Sequence, residues 1–223
     1  MFSKNILDIF LSDGTIGVNR DLDLNCEKIE NLIKNFTYSG ERRNINEIVE
    51  NAKLPPAILA FYYYVFTKLT IPTEDEFLET YCTINQITIS GNNICIVDES
   101  YNYEGVKARL LRTYPSLIRD IHFYYLIKES NLFEKVSYSL YKDYVAGIDL
   151  IILHNDREYC ISVYIGTNRG KSFKNKKTKR HDYSNITEIE LMVNFDTLNQ
   201  VGNFYLLNKN HVENLITKLN QTC

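Results

Sequence analysis

Apolar residues recur along the first eighty positions with the spacing of helices. Between Cys26 and Phe36, the residues Ile29, Leu32, Ile33 and Phe36 fall at i, i+3, i+4 and i+7, the stripe of an amphipathic helix. The stretch Asn44 to Ala52 predicts a second, short helix. Leu54-Pro55-Pro56 ends it, because a residue before proline is pushed out of the helical region. Pro56 suits the first turn of a third helix reaching Leu69. The run Phe61-Tyr62-Tyr63-Tyr64-Val65-Phe66 within it invites a base-stacking role. Consecutive residues point all round a helix, however, and a helix apolar all round is a buried one, which is the better reading. Thr73 ahead of Glu74-Asp75-Glu76 predicts a capping box, with Phe77, Leu78 and Tyr81 on the inner face of the helix that follows.

From Ile84 the period changes. Residues 84–97 alternate β-branched with polar side chains around Ser90-Gly91-Asn92-Asn93, a hairpin signal. This seam divides the chain into a helical N-terminal region, 1–82, and an α/β domain, 83–223. The second part reads as a helix over 114–129, with Leu117, Ile121, Tyr124, Tyr125 and Lys128 spaced by three and four. Strands follow over 133–140, 148–153, 159–165, 189–195 and 204–207, and a closing helix over 211–219. The turn at His154–Arg157 is too short for a crossover, so 133–140, 148–153 and 159–165 are expected to be neighbours in one mixed sheet.

Composition adds limits. With 223 residues and 44% hydrophobic side chains, the chain can bury a core without disulfides or metals as staples. No stretch reaches the ~20 apolar residues of a membrane span, and the start carries no signal-peptide pattern. A cytoplasmic protein without a membrane partner is the expectation. The five cysteines are dispersed and form no C-x-x-C pair, which predicts reduced thiols. No zinc spacing, Walker loop or G-x-S-x-G elbow is present.

The net charge of −3 conceals a cluster. Seven basic residues, Arg169, Lys171, Lys174, Lys176, Lys177, Lys179 and Arg180, lie together without an acid, leaving 18 basic against 28 acidic groups elsewhere. Such a run is either a solvated loop or a track for a phosphate backbone, and taken alone it favours neither. Just before it, Gly166-Thr167-Asn168-Arg169-Gly170 is a turn whose amides could hold a phosphate.

Asp149 stands inside the apolar run Gly147-Ile148-Asp149-Leu150-Ile151-Ile152. A buried carboxylate costs several kcal/mol unless it is paired or ligates a metal. In isolation it reads as a cap at a strand end. Its context is an apolar strand carrying an acid, a tight turn, an adjacent strand and then a basic segment. With the helix and strand before it, this resembles the core of the PD-(D/E)xK nuclease superfamily, the fold of many restriction enzymes, over about residues 110–220. The resemblance implies a restriction-endonuclease-like mixed sheet flanked by helices and preceded by a mainly helical part. It also implies Mg2+ held by Asp149 and by an acid of the next strand, with a lysine two positions on to position or deprotonate the attacking water. Here the (D/E)xK position falls at Ser162-Val163-Tyr164, so the missing groups are expected from elsewhere: Glu158 or Glu134 for the acid, Lys171 or Lys174 for the lysine. Asp120 and Glu129 of the preceding helix are further candidate acids. The expected set is Asp149, Glu158 and Lys171 as catalytic residues, with Asp149 and Glu158 on the metal and the seven basic residues of 169–180 on nucleic acid, DNA in the first place. The implied function is that of a metal-dependent endonuclease. The alternative is a catalytically degenerate relative that binds nucleic acid or a protein without cleavage.

Overall fold

Local signals start most of the helices. In the computed structural model, which describes residues 15–16, 24–40, 45–96, 99–140, 142–167 and 187–222, Asn25 caps helix α1 (Cys26–Ile33) by accepting the Lys28 amide at 2.7 Å. Helix α2 (Glu47–Asn51) is shorter than its sequence pattern. Pro56 stands at the N-cap of α3 (Ala57–Lys68), one position ahead of the first turn. The capping box forms at α4 (Glu74–Ile84): the Glu76 carboxylate accepts the Thr73 amide at 2.7 Å, and the Thr73 hydroxyl accepts the Glu76 amide. The aromatic run of α3 is core: Phe61 and Tyr62 are fully buried, and Phe61 packs edge-on against Phe77 and Tyr114.

The expected hairpin after α4 is a three-stranded antiparallel meander, β2 (Thr88–Ser90), β3 (Asn93–Ile96) and β4 (Glu99–Asn102). Helix α5 (Tyr103–Leu111) follows directly, capped by Asn102. Helix α6 (Tyr114–Ser130) has a proline in its first turn and stops at Asn131, whose φ is +54°.

The principal sheet has the order β1-β5-β6-β7-β8, with β1 (Thr15–Ile16), β5 (Lys135–Ser139), β6 (Leu150–His154), β7 (Arg157–Ile165) and β8 (Glu188–Val193). Strands β5, β6 and β7 form an antiparallel meander, and β7 and β8 run parallel, so the sheet is mixed as expected. The β6–β7 turn places φ at +51° in Asn155 and +59° in Asp156, the paired positive values of a type I′ hairpin. A short hairpin, β9 (Asn199–Val201) and β10 (Phe204–Leu206), leads into the last helix, α7 (Lys209–Thr222).

The chain is thus a mixed α/β fold with a helical N-terminal part. One cluster of buried side chains runs from Ile29 and Phe61 through Tyr114 and Ile118 to Leu150, Ile161 and Leu215. Leu150, Ile152, Tyr159, Ile161, Ile189, Leu191 and Val193 point into it, so alternation sends Ile151, Cys160, Ser162, Tyr164, Glu188 and Glu190 to the opposite face. No described helix is long and apolar enough to cross a membrane.

Candidate functional site

Between β5 and β6 the chain makes a single π-helical turn, Lys142–Ala146, then passes Gly147 at φ +67° and reaches Asp149 at the head of β6. The Asp149 side chain is buried. Its amide donates to the Ile161 carbonyl at 3.0 Å, and its Oδ2 accepts the Val163 amide at 2.6 Å. The carboxylate therefore extends the β6–β7 ladder past the point where backbone pairing stops, which is the strand-end capping role that the residue suggests in isolation.

Pairing of Leu150 with Ile161 sets Asp149 beside Ser162. Glu158 is four residues back along β7, opposite Leu153, and about 13 Å away at ~3.3 Å per residue. Its exposed carboxylate meets Lys142 Nζ at 3.3 Å. The expected pairing of Asp149 with Glu158 is corrected on this ground: the register separates them, and each carboxylate has another partner. Glu134 is engaged still further along the hairpin, where it accepts the amides of Asn155 and Asp156 in the turn. Glu129 accepts the Cys26 amide at 2.8 Å. Burial pushes the Tyr62 hydroxyl up in pKa, and Asp143, Asp120 and Asp149 all act electrostatically on it in the same direction.

The acids that accompany Ser162 come from β8. Its hydroxyl donates to Glu188 Oε1, and the Tyr164 hydroxyl donates to Glu190 Oε2 at 3.3 Å. The sequence reading missed both glutamates. Their alternation with Ile189, Leu191 and Val193 was visible, but their position beside Ser162 follows only from the parallel register, Ser162 with Glu190. Cys160 lies on the same face, and burial raises its thiol above the usual range, with Lys142 opposing and Glu158 and Glu188 adding. It is no activated nucleophile.

Asp149 and Glu158 do not share a site, and among the described residues no three His, Cys, Asp or Glu side chains are placed to hold a metal ion. The Asp149–Glu158 pair does not fit the ion. Lys171 and the residues expected to bind nucleic acid, Arg169, Lys174, Lys176, Lys177, Lys179 and Arg180, lie outside the described residues, in the stretch of sequence between the parallel strands β7 and β8. Comparison with protein-family models, with curated proteins and with solved structures gives no match.

Proposed function

We propose that this chain acts on nucleic acid through a restriction-endonuclease-like sheet, binding it without cleavage at Asp149 and Glu158. The observation that carries the reading is the order of the sheet. Helix α6 leads into an antiparallel meander whose second strand begins at a buried acid, and a parallel fourth strand is joined through a connection holding seven basic residues. Binding is preferred to hydrolysis because the register sets Glu158 about 13 Å along β7 from the point opposite Asp149, where its carboxylate meets Lys142.

The test is fluorescence anisotropy with labelled duplex and single-stranded DNA and RNA across a salt series, beside a cleavage assay in Mg2+ or Mn2+. Binding should weaken with salt. Replacement of Lys174, Lys176 and Lys177 by Ala should flatten the slope by about one unit per lost phosphate contact. Metal-dependent cleavage abolished in Asp149→Ala would establish the endonuclease instead. No binding at low salt would remove nucleic acid altogether and leave a protein partner.

A further inference from the structure

The turn that carries Asp149 is fastened from an unexpected side. Tyr62, on α3 of the N-terminal part, stacks on Tyr138 of β5 with ring centroids 4.6 Å apart and planes inclined by 24°, and both side chains are buried. The Tyr138 hydroxyl donates to Asp143 Oδ2 at 2.9 Å.

Asp143 belongs to the π-helical turn. Its carbonyl accepts the Gly147 amide at 2.9 Å, and the Lys142 carbonyl accepts the Ile148 amide at 3.2 Å. A π turn is a rare conformation that persists where surrounding contacts enforce it. Two residues past Gly147, Asp149 grips the Val163 amide.

We infer that Tyr62 and Tyr138, both buried, and the half-buried Asp143 form a latch through which the N-terminal helices hold the π turn 142–146, and through it the Asp149 carboxylate, in place. The latch is a conformational device: releasing one hydrogen bond in the core loosens a carboxylate on the opposite strand face. Burial and the nearby Asp143 push both phenols well above their usual pKa, which favours the protonated Tyr138 hydroxyl that donates to Asp143. The inference does not depend on nucleic-acid binding.

Amide hydrogen exchange on the full chain, read by NMR for each residue, tests it. Tyr138→Phe and Asp143→Ala should each raise exchange at Gly147, Ile148 and Val163 by about tenfold or more, the effect of losing a hydrogen bond to a charged group. The Cys160 amide, bonded to the Thr187 carbonyl, should stay unchanged as the internal control. The double variant should show no more than the larger single effect, because both substitutions break one link. Tyr62→Ala, which removes the stacked ring, should give a smaller rise at the same three amides. If Tyr138→Phe fails to fold, Asp143→Ala decides alone. Unchanged exchange at Val163 in Asp143→Ala, or a rise shared equally by Cys160, would overturn the latch.

Discussion

Gly202, at the β9–β10 turn, has φ at +56° and rests on the C-terminal end of α1. A Cβ built there would lie 2.8 Å from the Lys34 carbonyl oxygen, 3.1 Å from the Ile33 oxygen and 3.1 Å from Lys34 Cα. All three are backbone atoms and cannot rotate away. Gly202→Ala therefore carries two penalties. The left-handed backbone costs a residue with a Cβ about 1–2 kcal/mol, and overpacking against fixed atoms adds about 1–3 kcal/mol. Reduced entropy of the unfolded chain returns about 0.4–1 kcal/mol. The expected net destabilisation is roughly 2–4 kcal/mol. Gly91, in the β2–β3 turn, separates the two penalties: its φ is +58°, and a Cβ would meet nothing within 4 Å. Gly91→Ala should cost only the conformational part, roughly 0.5–1.5 kcal/mol after the same return. Urea unfolding of the two variants beside the parent, at constant m, measures the difference directly. In a chain of this length the Gly202 variant should also melt lower by roughly 10 °C. Equal destabilisation of the two variants, or a Gly202 variant within ~0.5 kcal/mol of the parent, would refute the claim that the C-terminal hairpin is seated on the backbone of the first helix.

Two further outcomes follow from the same geometry. Asp149→Ala should lose about 1.5–3 kcal/mol in urea unfolding, the value of a charged hydrogen bond to a backbone amide, whereas Asp149→Asn keeps an acceptor for Val163 and should lose less than about 1 kcal/mol. Burial lowers the His122 pKa below its usual value, against the opposing pull of Glu30 at 3.0 Å. Its stabilising contribution is thus complete above about pH 6.5 and is lost as pH falls through the lowered folded value. Urea midpoints taken from pH 7 downward should fall less steeply in His122→Gln than in the parent, and identical slopes would dismiss His122 as a source.

The elements legible in the sequence are those whose signals are local. The capping box at Thr73 and Glu76, the stripe from Ile29 to Ile33 and the tight turn at Asn155-Asp156 each specify a conformation within a few residues, and all three form. What escaped notice depends on distant partners. Strand β4, Glu99-Ser100-Tyr101-Asn102, has no apolar alternation to betray it and exists by pairing with β3. Helix α5 follows with a glycine in its first turn, a poor helix former by propensity. Tertiary packing explains the choice: a Cβ on Gly105 would come 2.8 Å from Asn46 Cβ and 3.1 Å from Val49 Cγ2 of α2. The strand expected from Ile148 begins two residues later because the π turn claims the Ile148 amide, and nothing near that turn in sequence announces the stacked tyrosines beneath it.

Asp149 shows how far a site can be read one residue at a time. A lone acid in an apolar strand is conspicuous because few side chains cost as much to bury, and the structure does bury it. Its use is set by what reaches its oxygens, and one group that does so is a backbone amide, which every residue except proline supplies and no sequence pattern can mark. The choice of a second acid fails for a related reason. Period-two alternation correctly puts Glu158 on the same face as Cys160 and Ser162, yet the four steps along the strand from Ser162 back to Glu158 already remove it by about 13 Å. Glu190 is far from Ser162 in sequence but one strand spacing from it in the sheet, a distance of about 4.8 Å, and Glu188, opposite Cys160, reaches the Ser162 hydroxyl with its side chain. Acids on one sheet face are thus brought together across strands more readily than along them. In a parallel pair, where a long connection separates the partners, only the register decides which acids those are.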